Sequence, residues 1–264
     1  FEKSVSATLQ SDVPVGLFLS GGIDSSLIGN AVRKIGSKLK SFTVDFENPD
    51  FNEGSIASRI ATHFDLPHTR WRMTAKDVEN DIYRILDAFG QPFADMSALP
   101  TYYASRMAQQ EGCKVILTGD GADELFGGYP THYLPKISNA YQYLPKVFDS
   151  IVAHGAEAMS SRHTKLGTKE KIQRFLLGAR SSYQTAHAQW KLIFNTHELE
   201  CLILPIEKPR FPSVPDFKEF FDKVTSSVSS NIDDVIKADF MSFLPYDCLV
   251  KSDIASMLNG VELR

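Results

Sequence analysis

The chain has 264 residues, 43% hydrophobic and 23% charged, with a formal net charge of −4, the balance of a globular protein with room for one large domain or two smaller ones. Slight acidity without a long Lys/Arg run argues against a nucleic-acid partner, and no segment approaches about eighteen uninterrupted apolar residues, which argues against a membrane span. Cys113, Cys201 and Cys248 are odd in number and in no C-x-x-C pair, so a reducing compartment is expected and zinc is not. With no basic-then-apolar leader pattern, a cytoplasmic location is expected. The chain starts at Phe1 and stops at G-V-E-L-R just after a motif, so a piece of a longer protein is expected.

The first informative stretch is V-G-L-F-L-S-G-G-I-D-S-S-L-I-G-N, beginning at Val15. The apolar run Val15 to Leu19 is short and glycine-flanked, which predicts a strand buried on both faces. After it, Leu27, Ile28, Ala31, Val32 and Ile35 recur with helical spacing, so the unit reads strand, tight turn, helix. The turn holds Ser20, Gly21, Gly22, Asp24, Ser25 and Ser26, and capping a helix requires only one of them. Unpaired amides at a helix start, approached through glycines, suit phosphate. The lysine of a Walker A loop is missing, and so is the G-x-G-x-x-G dinucleotide fingerprint.

From there short apolar runs alternate with amphipathic stretches, which predicts an α/β fold with a parallel, doubly wound sheet. Strands are predicted at 40–46, 68–74 and 113–120, and helices at 53–65, 75–90 and 97–112. Right-handed crossovers place the carboxyl ends of such strands along one edge, and both glycine-rich loops fall there. Beyond about residue 130 no strand pattern recurs; 168–194 reads as helix, and 204–217 as a loop broken by Pro205, Pro209, Pro212 and Pro215. The organisation expected is a nucleotide-binding α/β region at 1–145 and a mainly helical, truncated remainder at 146–264, with the boundary anywhere between 130 and 150.

The second loop, L-T-G-D-G-A-D-E-L-F-G-G-Y at 117–129, sets Asp120, Asp123 and Glu124 among Gly119, Gly121, Gly127 and Gly128. Alone it would read as a solvated polar turn. Beside a polyphosphate loop it offers the second carboxylate that Mg²⁺ needs, since that ion is shared between one or two carboxylates and phosphate oxygens. Asp24 and Asp123 are the expected metal pair.

At this point the residues carry a resemblance. S-G-G-I-D-S-S resembles the PP-loop of ATP pyrophosphatases, and T-G-D-G-A-D-E-L-F-G-G-Y is similar to the second signature of the asparagine synthetase family. F-E-K-S-V-S-A-T-L-Q-S-D-V-P-V-G, Q-P-F-A-D-M-S-A-L-P-T-Y-Y-A-S-R-M-A and D-C-L-V-K-S-D-I-A-S-M also match, so the resemblance covers nearly the whole chain. It implies a sheet of the adenine nucleotide alpha hydrolase-like type, ATP and Mg²⁺, and a reaction that adenylates a carboxylate, most simply L-aspartate, releases pyrophosphate, and lets ammonia from glutamine form asparagine and AMP. It assigns Leu19, Ser20, Gly21, Gly22, Asp24, Ser25, Ser26, Val44 and Gly119 to ATP or pyrophosphate, Asp95 and Ser97 to the acid substrate, and Asp120, Glu124 and Lys251 to catalysis. Asp253 and Glu262 are expected to position Lys251 and Arg264, and the seven histidines carry no ligand spacing. The family's glutaminase domain is absent from this chain and is expected as a partner in the full-length protein, with a homodimer as the expected assembly.

One departure matters. Many family members carry glutamate where this chain has Asp120, and aspartate is one methylene shorter. Two other readings therefore stand beside the first: amidation of a different acid, such as a sugar acid or biosynthetic intermediate, or intramolecular amide closure; and a nucleotide-binding module without turnover.

Overall fold

The computed structural model describes residues 1–48, 52–157, 168–181, 183–191 and 232–264. By internal contacts the chain divides into two units, one comprising 1–120 with 245–264 and the other 121–244.

The first unit is built on a five-stranded parallel sheet in the order β3-β2-β1-β4-β5. Its elements are α1 (Glu2–Thr8), β1 (Val15–Phe18), α2 (Ile23–Ile35), β2 (Lys40–Phe46), α3 (Gly54–Phe64), β3 (His68–Met73), α4 (Ala75–Phe89), α5 (Ala98–Gln110) and β4 (Val115–Leu117). Near the C-terminus a helix at Leu249–Met257 and the strand β5 (Glu262–Leu263) return to the same unit. The α/β expectation holds, with β4 shorter than the sequence suggests and β5 unanticipated. Two residues are too few to show an alternating pattern; β5 is recognisable only by its pairing, in which the Glu262 N–H donates to the Lys114 carbonyl at 2.9 Å and the Arg264 N–H to that of Ile116 at 2.9 Å.

Strand alternation sends side chains to both faces of the sheet. Leu17, Leu19 and Leu117 join a core with Ile28, Ala31 and Val32 of α2 and Ala57 and Ala61 of α3. Phe42 and Ile116 point the other way, onto Met107 and Ala108 of α5. The crossovers account for this. Helices α2 and α3 link β1 to β2 and β2 to β3 in one direction, whereas α4 and α5 carry the chain back past β1 to β4, so right-handed connection puts them on the opposite face. Of the five apolar positions predicted for α2, Ile28, Ala31 and Val32 are buried, whereas Leu27 and Ile35 are exposed. Helix α4 begins with a reciprocal capping box: the Asp77 N–H donates to Thr74 Oγ1 at 3.2 Å and the Thr74 N–H to Asp77 Oδ2 at 2.9 Å.

Among the described residues the second unit is wholly helical: α6 (Ala122–Phe126), α7 (Pro130–Tyr141), α8 (Val147–Glu157), α9 (Thr168–Gly178), α10 (Tyr183–Lys191) and α11 (Ile232–Met241). The terminal helix Leu249–Met257 is then α12. Where one helix is predicted over 168–194 the described residues form two, and these pack closely at Gly178, where a side chain would meet Trp190 Nε1 at 2.7 Å. Residues 192–194 and the proline-rich 204–217 lie outside the described residues. Asp239 is buried in this unit; its Oδ2 meets His132 Nε2 at 2.7 Å and Lys191 Nζ at 3.0 Å, while Oδ1 meets His187 Nε2 at 2.8 Å. The Lys191 ammonium also sits over the Tyr129 and Phe243 rings, 3.7 and 3.9 Å from their centroids. Burial pushes the Asp239 carboxyl up, but the hydrogen bonds of His132 and His187 and the charges of His187 and Lys191 outweigh it and hold it well below the usual carboxylate range.

Candidate active site at the switch point of the sheet

In the order β3-β2-β1-β4-β5 the connections reverse direction between β1 and β4, and a crevice opens at the carboxyl ends of strands where that happens. The loops that follow those two strands are the two motif loops. Val15 lies opposite Val115 and Leu17 opposite Leu117, so 19–22 and 118–120 leave the sheet side by side. They also touch: a side chain at Gly119 would lie 3.2 Å from Asp24 Cβ and 3.3 Å from the Ser25 nitrogen, so the β4 loop lies close against the start of α2 and a larger residue at Gly119 would crowd it.

The serines hold the first loop in shape. Ser25 is buried, its Oγ accepts the Ser20 N–H at 3.1 Å, and it lies 2.9 Å from Ser20 Oγ. Ser20 Oγ accepts the Gly22 N–H at 3.0 Å, and the Ser26 hydroxyl donates to the Gly22 carbonyl at 2.6 Å. Gly22 is the N-cap of α2 with extended backbone and receives no side-chain cap. The first turn of a helix leaves amides without intrahelical partners, and the helix dipole favours negative charge there. Leu19 is buried, its N–H donates to the Phe42 carbonyl at 2.9 Å, and its own carbonyl accepts the Thr43 hydroxyl. Val44 lies farther along β2, its side chain against the core beneath α4 and α5.

Asp24 is half-buried in the first turn of α2 and makes no hydrogen bond or ion pair among the described residues. An oxygen donor left uncommitted beside a helix start, where the dipole favours negative charge, fits Mg²⁺, which takes oxygen ligands and shares them with phosphates. Among the described residues there is no group of three or more His, Cys, Asp and Glu arranged to hold a metal by themselves.

Asp120 ends the β4 loop, and its Oδ2 is shared: the Ser252 hydroxyl donates to it and Lys251 Nζ lies 3.7 Å away. Lys251 and Ser252, both buried, stand at the start of α12. Desolvating a lysine is costly unless a carboxylate faces it, so this pair reads as a built site and not as a solvated lysine. Asp120 and Lys251 are thus brought together, whereas Ser252 was not anticipated; a serine between a motif lysine and aspartate gives no sequence signal of where its hydroxyl points. Glu262 pairs with Arg264 at 2.8 Å, as expected.

Asp95 and Ser97 engage one another just before α5. The Ser97 N–H and hydroxyl donate to Asp95 Oδ1 and Oδ2 at 2.9 and 2.7 Å, a local turn that begins the helix. Asp123 and Glu124 belong to α6 of the second unit. Glu124 is only 1% exposed and its Oε1 accepts the Tyr129 hydroxyl at 2.6 Å, a setting that suits holding the glycine-rich turn more than accepting a proton.

Sheet order and the two touching loops define a parallel α/β protein with a glycine-rich loop and a helix start at its switch point, the uncommitted Asp24 carboxylate beside them. The asparagine synthase family model matches residues 1–264, and the chain belongs to that family. It is 30% identical over 261 residues to asparagine synthetase [glutamine-hydrolyzing] 1 of Bacillus subtilis, covering 99% of this chain and 40% of that protein. A putative asparagine synthetase [glutamine-hydrolyzing] of Mycobacterium bovis is 30% identical over 276 residues, covering 100% of this chain and 39% of its own length. A second putative enzyme of that name, from Methanocaldococcus jannaschii, is 37% identical over 145 residues, 54% of this chain and 28% of that protein. The chain thus spans about two fifths of the length of the curated relatives that it matches from end to end, 40% and 39%. Its five-stranded parallel sheet flanked by helices is the PP-loop type of fold expected from the sequence.

Proposed function

We propose that this chain is the ATP-dependent amide-forming part of a glutamine-dependent asparagine synthetase. A carboxylate cannot be amidated directly, because hydroxide is a poor leaving group. In the proposed reaction an oxygen of L-aspartate's side-chain carboxylate attacks the α-phosphorus of ATP, the bond from that phosphorus to the α,β-bridging oxygen breaks, and pyrophosphate leaves. Ammonia, supplied by glutamine hydrolysis in a separate domain, then attacks the acyl carbon; the bond to AMP breaks and the nitrogen loses a proton to give asparagine.

The observation that carries this reading is the contact of the β1 and β4 loops at the switch point, with Asp24 uncommitted beside them. In this reading the amides of Gly21 and of the first turn of α2, with Gly22 lining the loop and Ser20, Ser25 and Ser26, hold the pyrophosphate as its charge grows, and the backbone at Leu19, Val44 and Gly119 flanks the adenine. Asp24 is the Mg²⁺ ligand proposed, and the ion would neutralise charge on the departing phosphates. Asp123 carries the same assignment from its sequence pattern alone. Lys251, held by Asp120, would supply positive charge at the α-phosphate or acyl oxygen, and the free Oδ1 of Asp120 is the proton acceptor preferred over the buried Glu124. Asp95 and Ser97 are retained as contacts to the acid substrate.

One feature favours a second reading. Asp120 is shorter than the glutamate usual in the resemblance and its Oδ2 is engaged by Ser252 and Lys251 together, a difference that would suit an acid other than L-aspartate. The deciding experiment is pyrophosphate release by the full-length protein with ATP, Mg²⁺, ammonia and a panel of acids. Release that requires L-aspartate and is lost in Asp24→Ala supports the first reading, and release with another acid supports the second. No release with any acid points to a module without turnover.

A further inference from the structure

Three amides line the turn from Ser20 to Gly22, and two are satisfied within it, Ser20 N–H by Ser25 Oγ and Gly22 N–H by Ser20 Oγ. The third is not. Gly21 N–H donates at 3.3 Å to Glu53 Oε2, a carboxylate from another element. Glu53 is the N-cap residue of α3, yet its side chain does not cap its own helix; Gly54 N–H is taken by Asn52 Oδ1 at 3.0 Å instead. The first turn of α3 lies directly on the loop, since a side chain at Gly21 would come within 3.2 Å of Ile56 Cβ and 3.4 Å of Glu53 Cβ. A negative oxygen is therefore already seated where the start of α2 favours an anion.

We propose that Glu53 is the resting occupant of the pyrophosphate cradle, a tethered carboxylate that pyrophosphate must displace from Gly21. This rests on the reading that the loop binds pyrophosphate. One N–H cannot serve both oxygens, and a carboxylate held on a packed helix competes at the high local concentration of any tethered ligand. The contact keeps the loop ordered while the cradle is empty, and it weakens the hold on the product so that pyrophosphate leaves sooner. Glu53 is in this sense a positioning residue for Gly21.

The test is calorimetric titration of magnesium pyrophosphate into the full-length protein, wild type, Glu53→Gln and Glu53→Ala, with each variant's fold checked by circular dichroism. Both substitutions are expected to tighten binding about two- to fivefold, the size of one charge at a helix terminus. A merely structural role for Glu53 would weaken it. In ¹⁵N-glycine-labelled protein without ligand, the Gly21 amide should shift on Glu53→Ala, and with saturating pyrophosphate the wild-type and variant Gly21 signals should coincide. Binding by the wild type that is unchanged or weakened in both variants overturns the proposal and leaves the functional reading standing. Absence of pyrophosphate binding by wild type and variants alike overturns both.

Discussion

Ser25, proposed from the sequence pattern as a phosphate ligand, also has a task within its own loop. Its hydroxyl ties the Ser20 backbone and side chain into that loop. Both roles run through one oxygen, so Ser25→Ala is expected to cost about 1 kcal/mol of stability by leaving the Ser20 amide without its partner. Pyrophosphate release should fall by about 100-fold, as when one aligned donor is lost from a charged transition state. Urea unfolding and a pyrophosphate-coupled assay read the two separately. A stability loss without a rate loss would confine Ser25 to shaping the loop. Glu53 lies at the opposite end of legibility: nothing in F-N-E-G-S-I marks its carboxylate for Gly21, because the contact depends on how α3 lands on the β1 loop.

Among the elements, those with a strong local signal were the ones legible in sequence. Strand β2 matches the prediction at both ends, and α3, α4 and α5 fall within a residue or two of theirs, since a helix that begins at a capping residue or ends at glycine carries its own boundaries. Helix α4 depends on the Thr74 box, and Thr74→Ala is expected to lower stability by about 1 kcal/mol, measured as a shift in urea midpoint with unchanged slope. Restoration by Thr74→Ser would show that the hydroxyl is responsible, and failure to restore would shift the weight to packing of the methyl group. The two-residue β5 and the break between α9 and α10 were not legible. The first exists only through pairing with β4, and the second separates two helices that pack together where Trp190 meets Gly178.

At the scale of the whole molecule, the acid response should come in large part from the second unit, where Asp239 serves two histidines and Lys191. Its carboxyl lies below the ordinary range in the folded chain, so the stability it contributes is present above about pH 4, the unfolded value, and is lost as pH falls through the folded one. Trp190 is buried in this unit and Trp71 belongs to the other, so a Trp71→Phe chain gives one local fluorophore. The urea midpoint read by Trp190 emission should decline from pH 5 toward pH 2.5, and Asp239→Asn should both destabilise the unit near neutrality and remove much of that slope. An unchanged slope in the variant would mean that other carboxylates govern the acid limb.

The sequence by itself determined the modules: strand, glycine-rich loop and helix at residues 15–35, a second such loop after β4, and the residue types able to hold phosphate and a hard cation. These are short-range properties, written in periodicity, in glycines and in caps. Only the tertiary structure decided which distant groups meet. Asp120 and Ser252 stand 132 positions apart and share a hydrogen bond, and Gly21 and Glu53 stand 32 apart and do the same. Strand order and crossover side bring such pairs together, and hydrophobic periodicity carries no information about either; it records that a residue faces a core and leaves unsaid whose side chain lies opposite.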